Sequence, residues 1–132
     1  MVTDIEAVRS LRVVRARVGE RFVALPTARV RRVVRGLRIH PLLGSGAAIL
    51  GLSRFGGDPL VVVDLGSVLT GSSPASRDRR TVVVARVGAE ESTELLGLAV
   101  DDVLSVSADP DPGDASVDLV TFRVDEDEGE TC

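Results

Sequence analysis

Apolar and polar positions along this chain mostly alternate over short runs. Arg12-Val13-Val14-Arg15-Ala16-Arg17-Val18 settles into a two-residue period at its C-terminal end, the mark of a strand with one buried face. Gly19-Glu20 reads as a tight turn and Arg21 to Pro26 as the return strand, so residues 12–25 are expected to form a hairpin that Pro26 ends. The rhythm then changes. Val30, Val33 and Val34 fall at i, i+3 and i+4, which predicts a short helix over Ala28 to Arg35, capped by Thr27 and closed by Gly36. Leu37 to Leu43 reads as extended and punctuated by Pro41, and Gly44-Ser45-Gly46 as a loop. Ala47 to Ser53 is an apolar strand, and Phe55 to Pro59 a turn by composition. The β-branched run Leu60-Val61-Val62-Val63-Asp64-Leu65 predicts a strand buried on both faces. A helical turn over Gly66 to Leu69 and a polar loop over Thr70 to Asp78 follow. Arg80 to Val87 and Glu94 to Val100 make a second hairpin, and Asp101 to Val106 continues extended. The run Asp109-Pro110-Asp111-Pro112-Gly113-Asp114 breaks regular pairing. Ser116 to Val124, with Val117 and Leu119 alternating, predicts a last strand. About seven short strands with at most one or two short helices imply an all-β, barrel-like domain.

Composition sharpens this picture mainly by exclusion. The chain has 132 residues, enough for one domain with a core, and only 2% are aromatic, so Val, Leu, Ala and Ile must fill that core. It has one His, one Cys, and no Lys, Asn or Gln. A disulfide framework, a Cys/His zinc site and Ser-Lys or Cys-Asn catalytic pairs are therefore excluded, and a Ser-His-Asp triad would have to run through His40 alone. Gly44-Ser45-Gly46 lacks the third glycine of a dinucleotide fingerprint and opens a strand. Asp64 and Asp101 read as turn caps. No catalytic, cofactor or metal residue is assigned, and no enzyme activity is expected. Residues 1–10 read as a short leader without a signal peptide, and no run reaches the ~20 apolar residues of a membrane span. A cytoplasmic protein without membrane insertion is the expectation.

The net charge of −4 conceals a split. Residues 1–86 carry fifteen arginines against six acids, and residues 87–132 one arginine against fourteen acids. Such asymmetry means either an internal electrostatic match or two surfaces with different partners, and the second is the reading adopted from sequence. A basic face built from Arg9, Arg12, Arg15, Arg17, Arg29, Arg31, Arg32, Arg35 and Arg38 would suit phosphates. It lacks interleaved aromatics and a recognition helix, so nucleic acid is disfavoured. An Arg-rich, polyanion-binding barrel remains the alternative from another functional class.

Four segments, in order, carry a resemblance. Val18-Gly19-Glu20-Arg21-Phe22-Val23-Ala24-Leu25-Pro26 resembles a first hairpin ending in "Y-A-[IL]-P". Val30-Arg31-Arg32-Val33-Val34 resembles a "V-x-E-V" helix. Gly51 to Gly57, followed by Leu60 to Leu65, resembles "G-x-x-N-L-R-G-x-x-x-P-V-[IV]-D-L". Gly97 to Val106 resembles "G-[LF]-x-V-D-x-V-x-x-V". This is the pattern of the CheW-like family of chemosensory adaptors, matched over about Arg12 to Val106.

The resemblance implies two small, SH3-like, five-stranded β-barrel subdomains; the domain is expected over residues 11–124, its second barrel incompletely closed where the chain departs from the family, and the Asp- and Glu-rich residues 125–132 read as an acidic tail. It implies a non-catalytic adaptor that needs no cofactor and bridges or modulates arrays of chemoreceptors and the histidine kinase CheA. The implied partners are a methyl-accepting chemoreceptor signalling tip, the CheA-type regulatory domain and other CheW-like adaptors. Candidate partner-binding residues are Val30, Arg31, Arg32, Arg35, Arg54, Gly56 and Gly57. The chain departs from the family where Glu is usual in the helix motif (here Arg32) and where Arg is usual in "N-L-R-G" (here Gly56). It also leaves only Ala108 to Cys132 for the closing elements, so it reads as a shortened member. A modulator that binds receptor or adaptors but not the kinase is the second reading.

Overall fold

A computed structural model describes residues 12–42, 48–71 and 81–122, with no account of the side chains of residues 107 and 108. The predicted leader over 1–10, most of the loop after Thr70 and the tail over 125–132 lie outside the described residues. Among the described residues, nine strands and one α-helix follow the order β1 (Val13–Val18), β2 (Arg21–Pro26), β3 (Val30–Val34), β4 (Ile49–Phe55), β5 (Asp58–Asp64), α1 (Leu65–Thr70), β6 (Thr81–Val87), β7 (Glu94–Val100), β8 (Asp102–Ala108) and β9 (Ala115–Ser116). They form a four-stranded sheet, β8-β1-β2-β9, and a five-stranded sheet, β3-β6-β7-β5-β4. The all-β expectation holds. The two barrels do not appear as closed cylinders; both sheets are open among the described residues, in keeping with incomplete closure.

Burial explains the sheet order. Val14, Ala16 and Val18 of β1 and Val23 and Leu25 of β2 pack against Val63, Val83, Ala85, Leu98 and Val100 in a cluster shared by the two sheets. The alternate residues Leu60, Val62, Val82, Val84 and Ala99 form a second cluster on the other face of the five-stranded sheet. That sheet is thus buried on both sides, as the β-branched run predicted. Gly97 allows this, because a Cβ there would press on Val82, Val62 and Leu60 at 2.9–3.2 Å. Asp64 ends β5 and caps α1: its Oδ2 accepts from both the amide and the hydroxyl of Ser67, each at 2.9 Å. The turn-cap reading of Asp64 is therefore correct.

Three expectations need correction. The helix over Ala28 to Arg35 is a single 3-10 turn, Thr27–Arg29, followed by strand β3. Thr27 does not cap it; Pro26 holds the cap position and Thr27 Oγ1 is buried without a hydrogen bond. The cause is a bulge. β3 pairs with β6 as Val30↔Ala85 and then Arg32↔Val84, so one extra residue enters β3 between them. The extra residue puts Val30 and Val33 on the same cluster, with Val34 on the other. A bulged strand thereby acquires the i, i+3, i+4 spacing of a helix.

The predicted turn over Phe55 to Pro59 contracts to Gly56-Gly57, with φ of 61° and 88°. Two successive positive φ angles match the twist of a two-residue hairpin, so β4 and β5 pair up to Phe55↔Asp58. The last strand shrinks to Ala115–Ser116, parallel to β2. Val117 and Leu119 are still buried in the shared cluster, as their alternation required. The Leu119 carbonyl accepts from the amide of Gly88 at 2.9 Å, which fixes this segment to the end of β6.

Candidate interaction surface

The sequence-derived candidates fall on two separate edges of the five-stranded sheet. Val30, Arg31 and Arg32 lie on β3, hydrogen-bonded to β6 on one side only. Val30 is half-buried against the shared core, whereas Arg31 and Arg32 are exposed at the bulge. Charge and a bulge on an edge strand also keep other strands from adding to it. Arg35 follows β3 and sits 3.7 Å from Asp102 of β8, both side chains being largely exposed.

Arg54, Gly56 and Gly57 belong to the β4–β5 hairpin at the opposite edge. The two glycines supply the turn conformation and offer no side chain to a partner. Arg54 is exposed and lines a groove of about 640 Å³ with Leu37, Arg38, His40, Leu52, Ser53 and Pro59. Arg38 is not among the partner-binding candidates read from the sequence; only the structure shows it in the same groove as Arg54. It is brought there by the chain after β3, which returns to the β4 edge through an isolated bridge. His40 donates to the Leu52 carbonyl at 2.7 Å, and Leu52 to that of His40 at 2.8 Å. Gly51 permits this approach: its φ is 152°, and a Cβ would overlap the His40 carbonyl.

Elsewhere, arginines of the basic segment meet acids of the acidic one. Arg15 donates to Asp114 through Nε at 2.7 Å and lies 3.1 Å from Asp111, with its guanidinium 5.7 Å from the centre of the Phe22 ring. The hydrogen bond from Arg15 holds the Asp114 carboxyl below the usual carboxylate range, against the opposing pull of desolvation. The same bond raises the Arg15 guanidinium above its ordinary value. Asp101 accepts from the amide of Gly19 at 2.6 Å and from Arg17 at 3.4 Å, so it closes the β1–β2 turn. Arg29 lies 3.8 Å from Glu90 and donates to the Gly88 carbonyl at 2.8 Å. Part of the charge split is therefore an internal match, and the two-surface reading is narrowed to the arginines left over.

Among the described residues no group of three His, Cys, Asp or Glu side chains could hold a metal ion, and no helix is long and apolar enough to cross a membrane.

The CheW-like domain family model matches residues 12–112. The fold is similar to the crystal structure of the scaffolding protein TtCheW from Thermoanaerobacter tengcongensis, with a TM-score of 0.60 and 22% identity over 83% of this chain and 76% of that one. A search of curated protein sequences finds no significant match. The motif order, the two-sheet fold and the extent of the family match lead to one conclusion: this chain belongs to the CheW-like domain family.

Proposed function

We propose that this chain is a non-catalytic adaptor of a chemosensory signalling system, acting in the cytoplasm by protein–protein contacts. Its adaptor domain spans residues 11–124. It bridges a chemoreceptor signalling tip and a CheA-type kinase regulatory domain, and it meets other CheW-like adaptors. The family match over residues 12–112 carries this reading, and the description of TtCheW as a scaffolding protein supports it. Contacts are assigned to the exposed Arg31 and Arg32 beside Val30, to Arg35, and to Arg54 near the Gly56-Gly57 turn.

Both sheets are open among the described residues, and a barrel that is not fully closed favours a second reading, a modulator that holds receptor or adaptors without engaging the kinase. Pull-downs with an immobilised receptor tip and an immobilised kinase regulatory domain separate the two. Capture by both supports bridging, capture by the receptor tip alone supports the modulator, and capture by neither dismisses both.

A further inference from the structure

Arg15, Arg17, Arg29 and Arg35 each face a carboxylate of their own chain. Arg38 and Arg54 face none among the described residues, and both are exposed. They also share one groove. His40 and Leu52 form an antiparallel bridge, and two residues along each chain from it Arg38 and Arg54 both line the same groove. The Arg38 carbonyl accepts from the Ser53 hydroxyl at 2.5 Å, which ties the Arg38 segment to β4. Two positive charges gathered in one groove repel, so an anion received between them would stabilise this part of the fold.

The surroundings select the anion. Leu37, Leu52 and Pro59 give the groove an apolar lining beside the two arginines. Two planar donor forks suit a carboxylate, which each can hold through paired hydrogen bonds. The apolar lining suits an aliphatic side chain next to that carboxylate. A nucleic acid would leave the lining unused, and Phe55, the aromatic residue of this hairpin, is packed against the second core cluster and not presented for stacking.

We propose that the Arg38–Arg54 groove receives an acidic segment of a partner protein, with a carboxylate between the two guanidinium groups and an adjacent aliphatic side chain on Leu37, Leu52 and Pro59. The existence of a protein partner rests on the adaptor reading; the groove and its chemistry do not.

The test uses the full chain and a short fluorescein-labelled peptide in which Glu alternates with Leu, followed by fluorescence anisotropy over a salt series. Binding that weakens with salt, and that falls at least about tenfold in Arg38→Ala and in Arg54→Ala, is expected. Arg54→Glu is the sharper variant. It places opposite charges across the groove, so it should raise the melting temperature while abolishing peptide binding, a combination that a misfolded variant cannot produce.

Equal binding of a Lys–Leu peptide, or unchanged affinity in Arg54→Glu, overturns the proposal. So does tighter arginine-dependent binding of duplex DNA than of the acidic peptide. Peptide binding that emerges only after removal of residues 125–132 would assign the groove to the chain's own acidic end and also overturn it. Failure to capture receptor or kinase, with peptide binding intact, would remove the adaptor reading and leave the groove standing. Normal capture of both by a variant with Arg38 and Arg54 reversed would do the opposite.

Discussion

Arg15 and Asp114, ninety-nine positions apart, are joined by two hydrogen bonds, Nε to Oδ2 at 2.7 Å and Nη2 to Oδ1 at 3.1 Å. The contact ties the third residue pair of the β1–β2 ladder, Arg15↔Ala24, to the Asp-Pro-rich turn that precedes β9. Asp114 also accepts from the amide of Asp111 at 3.1 Å, and the amide of Asp114 donates to the Asp111 carbonyl at 3.0 Å. One carboxylate thus closes its own turn and anchors it to the four-stranded sheet.

Acid should loosen this anchor. Folding lowers the pKa of Asp114, so the ionised form favours the native state. That contribution is complete above the pKa of Asp in the unfolded chain, about 3.9, and is lost as pH falls through the lower folded value. Asp118, lowered chiefly by the Thr121 hydroxyl and then by the Val120 amide, acts with the same sign. Asp114→Asn is expected to melt at a lower temperature than the native protein at neutral pH. The gap should stay constant down to about pH 5 and narrow below about pH 4. Thermal melts across this range check it, and a gap that widens with acid would refute the assignment.

Gly51→Ala should destabilise the chain by about 2–3 kcal/mol, because its Cβ would meet the His40 carbonyl at a backbone angle that L-residues rarely adopt. Gly113→Ala is the control. Its Cβ would have no neighbour within 4 Å, and a change within about 0.5 kcal/mol is expected. Urea unfolding of the two variants measures the difference.

Leu119→Ala is expected to cost about 2–5 kcal/mol, since Leu119 is 1% exposed and fills the core shared by the two sheets. Its neighbour Val120 is 46% exposed, and Val120→Ala should cost less than about 0.5 kcal/mol. Equal losses in chemical denaturation would mean that this segment does not pack as described.

Which of these features were legible in the sequence depended on whether the responsible contact was local. The β1–β2 and β6–β7 hairpins were, because alternation and a short polar turn define them within a few residues. β3 reads as a helix in the sequence because its bulge is imposed by pairing with β6, and a bulged strand and one helical turn share the same apolar spacing. The run from Asp109 to Asp114 read only as a breaker of pairing; its attachment to Arg15 has no local signal. The same holds for Arg38. Its place in the groove with Arg54 follows from the His40–Leu52 bridge, made by two segments that no short-range pattern connects. The charge split was visible at once, but which arginines had been neutralised required the fold.

The measurement closest to the central claim is sedimentation of a CheA-type kinase with vesicles bearing a chemoreceptor, with and without this protein. The adaptor account predicts that the kinase enters the pellet only when the protein is present. It also predicts that the double variant Arg31→Glu/Arg32→Glu, altered only at exposed positions, recruits about tenfold less. Kinase recruitment that is the same with and without the protein would contradict the account.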